Sequence, residues 1–570
     1  MTLRRDSTRG DGAVHRRVFR SGAGRIGGMV RSATLFDLPL VAFATCVVLA
    51  GAAAHEPASA QAATRWILLW SGLALAIGWG ARSRGVWLAC TTIAVASGAI
   101  AAVMFVTQYS SLSVESKVGL IDDLGRFLSR PFPPLLIWQP FSNSAATWFE
   151  GFLLLAVGAV CDDRFRRLRV PLAAMTALLA LALILTMSRG AWLGVLVGGL
   201  LAGAVRWTPR PWRGELAGGT VLGTLGLGLA MTFVAGLAVV GWLTTWAGGL
   251  IVRPDRMDIY RHSATLVDAV GLTGLGPGGQ FAQAFSRFAL AIQVPFVTYP
   301  HQLPLHVWLA FGALGVIAWT WWVATAATAI STAERYQSSP SFRGAWAGLL
   351  AVLVHGLSDA RQAVDPWTWG PLFVLTGLIV ARCRRLEARP PAIRFAWSWA
   401  SLVVVGGVVL ARHTPLTAAW HSSVGHQLEA RCLVAGTDVA DRPAVCRAAI
   451  ESYRRAIASD PNQAAARRRL ALDAADRVVF SEALSHMTVA LESDPQSLAS
   501  RKIGGLVAAW AGEERLAAHL LGPVPGAADE LLVWSTAWKD RGVDSASESS
   551  RHVALLLGKR SKESVAATRP

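Results

Sequence analysis

The strongest constraint on this chain is the recurrence of apolar stretches nearly free of charge. Eleven lie near residues 35–54, 66–81, 86–107, 145–161, 170–187, 191–205, 217–240, 305–327, 344–356, 367–381 and 395–411. A helix that crosses a bilayer needs about 20 such residues, and it must satisfy its own backbone polar groups across the hydrocarbon. Most of these runs approach that length; two or three fall short. Charged residues make up only 16% of the 570, where a soluble domain carries about 25%. A cytosolic enzyme and a disordered chain both fit that balance poorly. The pattern predicts an all-α polytopic membrane protein with about 11 transmembrane helices.

The formal charge of +18 raises nucleic acid as a partner, so its location matters. With the N-terminus in the cytoplasm and alternating sides, the inner segments are 1–34, 82–84, 162–169, 206–213, 334–343 and 382–394. They hold 24 Lys and Arg in about 80 residues, against 10 in about 125 in the outer segments between the apolar runs. Basic loops stay in the cytoplasm, so the charge reads as topology against anionic lipid. No nucleic-acid partner is expected. Three regions result: a basic cytoplasmic tail 1–34, a transmembrane domain 35–411 with a large outer loop 241–304, and an extracytoplasmic region 412–570 whose end is expected to be disordered. A second outer loop covers 108–144. Ala58-Ser59-Ala60 has the small residues of a cleavage site, but the charged region lies too far from the apolar run for a signal peptide. An uncleaved first helix is expected.

The C-terminal region repeats itself. Ala449, Ala456, Asp460 and Pro461 recur as Ala483, Ala490, Asp494 and Pro495, each 34 residues later. That is the tetratricopeptide period. The alanines let two helices approach, and the proline ends the second because it cannot continue one. Leu470 and Ala471 fill first-helix positions; Tyr453 and Met487 share the slot for a large side chain. A generic Ala-rich hairpin is the alternative. Two clear units are fewer than a solenoid needs, so flanking helices or the membrane domain must cover their open faces. Such a region could also recruit a protein partner.

Cys46, Cys90, Cys161, Cys383, Cys432 and Cys446 form no zinc spacing, and no metal site is expected. Cys432 and Cys446 are the two assigned to the outer tail, in a compartment that favours disulfides; they are expected to pair.

Polar groups at the outer helix ends carry the chemistry, because charge at membrane depth is costly. Arg189 lies in Ser188-Arg189-Gly190-Ala191-Trp192-Leu193, between two apolar runs with almost no loop. It is either a site residue or a snorkelling anchor. In the large loop, Arg256 and Tyr260 are four apart on one helical face, with Arg261 beside them. Gly274-Leu275-Gly276-Pro277-Gly278-Gly279 lacks the Lys-Ser/Thr of a nucleotide loop, which leaves a tight turn. Tyr299-Pro300-His301-Gln302 precedes the next helix, and neighbouring Arg residues would favour the neutral imidazole that a general base requires.

These blocks carry a family resemblance. Ser188 to Leu193 resembles the S-R-G-A-x-L turn of the O-antigen ligase and polymerase superfamily of bacterial membrane glycosyltransferases. Arg256-x-x-Ile259-Tyr260 with Gly274 to Gly278 is similar to its R-x-x-I-W … G-x-G-x-G block. Pro300-His301-Gln302, Leu305, Gly312 and Gly315 resemble its P-H-N-x-x-L … E-x-G-x-x-G block, and Pro140-Phe141-Ser142-Asn143 its P-F-x-N lead-in. The blocks keep the family order over about residues 140–320. Gln302 stands where the family has Asn, and Ala310 where it has Glu. A partner that orients His301 must therefore come from elsewhere, and His355 and Asp359, four apart, are one source. Glu150 has no family counterpart and reads as a local packing charge.

The resemblance implies transfer of a glycan from an undecaprenyl-diphosphate donor to an acceptor hydroxyl at the outer face of the bacterial inner membrane. The acceptor would be lipid A–core of lipopolysaccharide, a growing polysaccharide or a protein. Neither metal nor nucleotide cofactor is implied, and direct attack would invert the anomeric centre. On this reading Arg189 and Arg256 hold the diphosphate bidentately, and His301 takes the acceptor proton. Arg261, Tyr260, Gln302, Asn143, His355 and Asp359 then contact substrate. A lipid-linked glycan transporter or flippase is the alternative; it would place ionisable residues inside broken or repeated helices.

Overall fold

The computed structural model describes residues 36–112, 114, 116–135, 140–234, 254–290, 297–385, 403, 406–407, 416–433, 442–495 and 497–567. Among these the fold is all-α. The membrane part comprises α1 (Leu38–Ala53), α2 (Pro57–Gly80), α3 (Arg84–Thr107), α4 (Gly119–Ser129), α5 (Ser142–Val160), α6 (Arg169–Leu185), α7 (Arg189–Trp207), α8 (Arg210–Val234), α9 (Pro254–Val270), α10 (Gln280–Ala284), α11 (Leu303–Gln337), α12 (Pro340–His355) and α13 (Gly370–Arg385). Among the described residues, six helical stretches are long and apolar enough to cross a membrane: α2, α3, α5, α7, α11 and residues 163–185, which contain α6. Helices α1, α12 and α13 have 16 residues each, so a count near 11 rests on these shorter elements and on α8. The expected span 395–411 lies almost wholly outside the described residues.

Helices α5 and α11 are mostly buried inside the bundle, whereas less than a third of the residues in the apolar windows of α2, 163–185 and α7 are buried. Ile93, Ile100, Leu196 and Leu200 lie on such exposed faces, as expected of helices solvated by lipid. Close packing inside comes from small residues. A Cβ at Gly348 of α12 would lie 2.3 Å from the Gly151 carbonyl of α5, and one at Gly194 of α7 would lie 2.5 Å from the Ala351 carbonyl of α12. Helices α5, α7 and α12 thus touch backbone to backbone, which draws their ends together.

Polar side chains at successive helix ends meet in two separate groups, as alternating spans require. One group joins Asp37 to Arg384, Asp162 to Ser341 and Glu334 to Arg343. The other joins the Gln280 side chain to the Glu56 backbone, Asn143 to Asp359 and Ser188 to His355. The second group contains Asn143, His355 and Asp359 of the candidate site residues.

Helix α11 is broken. Gly312 has φ 68° and ψ −170° within it, a region open essentially to glycine alone. The gap is filled by the glycine-rich turn: Leu275 N donates to Leu309 O (2.7 Å), Gly276 N to Ala310 O (2.9 Å) and Ala313 N to Leu272 O (3.2 Å). These three bonds satisfy backbone groups that the break frees. Gly274-Leu275-Gly276 is a structural plug in α11.

The described residues of the C-terminal region form eight helices packed as four consecutive pairs: α14 (Leu416–Leu433) with α15 (Arg442–Ser459), α16 (Ala464–Asp476) with α17 (Phe480–Ser493), α18 (Leu498–Trp510) with α19 (Glu514–Leu521), and α20 (Ala527–Asp540) with α21 (Asp544–Ala567). The repeated Ala449, Ala456, Ala483 and Ala490 are buried, with Tyr453 and Met487 between them. A disulfide joins Cys432 to Cys446. Helix α14 docks on the membrane domain: Gln427 donates to Gly274 O, Arg431 donates to Ala53 O at 2.6 Å, and Glu429 pairs with Arg287 at 3.2 Å.

Candidate functional site

The site is built on the segment where α12 ends. After His355 the chain turns, with Asp359 N bonded to His355 O at 3.0 Å, so His355 and Asp359 stay close in space. The backbone then continues in turns and short 3-10 elements to Trp369. Its carbonyls and carboxylates are left open to side chains from distant elements.

Asp359 is the centre. Its side chain is buried; one oxygen accepts from Asn143 Nδ2 at the start of α5, and the other lies 3.7 Å from His301 Nδ1. Burial alone would raise the Asp359 carboxyl, but the His301 ring and the Arg256 guanidinium outweigh it and hold the group well below the usual carboxylate range. His301 adopts a left-handed φ of 54°, uncommon outside glycine and often retained at functional positions. Its ring packs on Tyr299 with centroids 4.0 Å apart, and its carbonyl accepts from Tyr260 Oη at 3.2 Å.

Helix α9 delivers Arg256 and Tyr260 from one face: Arg256 donates to Ser358 O, while Tyr260 is buried against the His301 backbone. Arg189 begins α7, exposed, one residue from the glycine that touches this segment. A Cβ at Gly190 would lie 2.7 Å from both His355 Cδ2 and Ser358 Oγ. Arg189, Arg256, His301, Asn143, Tyr260, His355 and Asp359 are thus brought to one end of the bundle. Arg261 is not; it is exposed and pairs with Asp258 at 3.2 Å. Gln302 is fully buried at the start of α11, behind His301.

Several site residues were not anticipated. Glu150, read from sequence as a packing charge, pairs with His355: Oε1 lies 2.9 Å from Nδ1. The other ring nitrogen, Nε2, lies 3.3 Å from Ser188 Oγ. Arg361 bonds Ser144 Oγ (2.9 Å), Asp365 (2.9 Å) and Tyr299 Oη (3.3 Å), and lies 4.2 Å above the Phe141 ring. It thereby secures the aromatic support under His301. Burial pushes the Tyr299 hydroxyl up, and the Asp359 carboxylate adds to that; Tyr299 is a neutral donor and acceptor. A charge inside an apolar run was the available signal for Glu150. Nothing local marks Arg361.

Residues 174–320 match the family model described as O-antigen ligase. The matched stretch contains Arg189, Arg256, Tyr260 and His301, but not Glu150, His355, Asp359 or Arg361. No curated protein and no solved structure matches the chain. The match implies a multi-pass membrane glycan transferase of the ligase or polymerase type that acts on lipid-linked glycans.

Proposed function

We propose that this protein transfers a glycan from an undecaprenyl-diphosphate donor to an acceptor hydroxyl, at the outer face of the bacterial inner membrane. One observation carries the reading: Arg256, His301 and the Arg189 turn, far apart in sequence, converge on the segment 355–359. The diphosphate leaving group concentrates negative charge as the glycosidic bond breaks, and fixed guanidinium groups stabilise that charge in a partly dry site. Arg189 and Arg256 supply them. With Nδ1 of His301 turned to Asp359, the tautomer protonated there leaves Nε2 as the basic nitrogen. Nε2 removes the acceptor proton as its oxygen attacks the anomeric carbon, and the diphosphate leaves from the opposite face with inversion. The 3.7 Å separation shortens as the substrate complex forms.

A lipid-linked glycan carrier draws on the break in α11, since carriers use interrupted helices. Here the gap holds the 272–276 backbone rather than an open path, which favours the transferase. Within that class the acceptor is lipid A–core, a growing polysaccharide or a protein, and the helical pairs of the tail, a tetratricopeptide-like array on this reading, recruit a protein partner. Deletion in the host decides among the acceptors: lipopolysaccharide capping, polymer length or protein glycosylation should be lost. Complementation with His301→Ala should fail at normal expression, with transfer reduced by about 10²–10⁴-fold. Near-normal transfer by that variant would remove His301 as the base.

A further inference from the structure

We infer that the buried pair Glu150–His355 is a positioning device that acts through Ser188 to fix the turn carrying Arg189. The inference rests on the diphosphate reading above and assigns roles to three residues that it leaves idle.

Glu150 is fully buried in the middle of α5, and His355 and Ser188 are nearly so. A buried ionic pair contributes little net stability, because desolvation offsets the attraction. Glu150 Oε2 has no hydrogen-bond partner among the described residues, so packing alone gives no reason to keep a carboxyl there. What the pair does supply is direction. Glu150 holds Nδ1 at 2.9 Å, which fixes the ring and points Nε2 at Ser188 Oγ, 3.3 Å away.

Ser188 occupies the N-cap of α7, where serine ordinarily accepts from a first-turn amide. It makes no such bond; the hydroxyl faces His355 instead. The preceding Met187 has φ 50°, an unfavourable conformation that surrounding contacts must hold. Gly190 closes the arrangement, since no Cβ fits between it and His355. Arg189 lies between two residues that are each held against His355. It makes no hydrogen bond or ion pair of its own among the described residues, so its backbone alone determines where the guanidinium can reach.

The two amides related to histidine separate this role from simple packing. His355→Asn keeps a donor near Nδ1 and loses the reach to Ser188; His355→Gln keeps a donor near Nε2 and loses Glu150. The experiment uses the purified full chain in detergent and farnesyl diphosphate as the probe. Phenylglyoxal modification of Arg189 is followed by peptide mass spectrometry, and thermal unfolding is followed in parallel. In the wild type the probe should protect Arg189. Ser188→Ala and His355→Asn should each raise the half-protecting concentration about tenfold with the melting midpoint little changed. His355→Gln, which keeps the donor toward Ser188 but gives up the hold of Glu150, should weaken protection in the same direction but less than His355→Asn, and the double variant Ser188→Ala/His355→Asn should be no worse than either single one, as expected of residues acting in series. If the His355 variants fail to fold, Ser188→Ala, which removes one hydroxyl, still decides. Wild-type protection in Ser188→Ala overturns the positioning role and leaves the diphosphate reading intact. Absence of protection in the wild type overturns both.

Discussion

Replacing Glu429 by Gln should loosen the tail from the membrane domain. Glu429 accepts from Arg469 Nε at 2.8 Å, Tyr453 Oη at 2.7 Å and Arg287 at 3.2 Å. Burial would raise its carboxyl, but Arg469 and then Arg287 outweigh this and lower it from 4.5 to about 2. A difference of that size corresponds to about 3 kcal/mol, in line with the roughly 3–5 kcal/mol lost when one partner of a buried ion pair is removed. Arg287 is about one-third exposed and contributes the smaller share. Gln keeps the shape but leaves the buried Arg469 without its counter-charge. Hydrogen exchange of the full chain at pH 7 should therefore rise about 10²-fold in peptides from α14 and α16. The acid response has a definite sign. A depressed carboxyl pKa gives stability that is complete above its ordinary value and is lost as pH falls toward about 2. Pepsin cleavage within α14–α16 of the wild type should rise between pH 4.5 and 2, and Glu429→Gln should lack that step. A change in exchange below threefold, or an identical acid step in both proteins, would refute the argument.

Gly312→Ala should abolish folded yield by size-exclusion chromatography, because its Cβ would lie 2.6 Å from Leu272 O at φ 68°. Gly219→Ala, with open space around it, should be silent. Opening the Cys432–Cys446 bridge, which closes 14 residues, should cost about 3 kcal/mol in the chain-entropy picture; Cys432→Ser should melt earlier, and unreduced wild type should resist thiol labelling at both positions. Reporter fusions after Arg169, Arg213 and Arg394 should be cytoplasmic and those after Arg256 and Arg412 outside; an external signal at Arg394 would overturn the orientation.

Much of the fold was legible because lipid imposes a simple rule. Any apolar run long enough to span must satisfy its backbone as a helix, and the runs at 86–107, 145–161 and 191–205 became α3, α5 and α7. Spacing also sufficed for α9, where residues four apart share a face. It failed inside the run 305–327, since hydropathy does not register the dihedral of Gly312. The glycine-rich turn reads locally as a tight turn and gives no sign that it enters a helix 35 residues downstream. Part of the site was legible in the same way: His355 and Asp359 stood out as the carboxylate source that His301 lacked once Ala310 occupied the Glu position. Glu150 and Arg361 were not, because their partners lie 205 and 217 residues away, and only a folded bundle assigns them.

The charges at the site balance in a way that singles out Arg189. Glu150 is matched by His355 and Asp365 by Arg361, while Asp359 is held by the Asn143 amide, the His301 ring and the Arg256 guanidinium. Each pair lies within or beside the buried bundle end, where an unmatched charge would be costly. Arg256 bonds a neutral carbonyl, Ser358 O, and Arg189 is exposed with no ionic partner among the described residues. Arg256 therefore shares the field of Asp359 and Arg189 is left without a carboxylate of its own, and both adjoin the same turn. A site designed only to hold helices together would have no reason to leave Arg189 so. On the proposed function, the donor diphosphate, which brings its own negative charge and presents paired oxygens to planar donors, is the partner that Arg189 lacks.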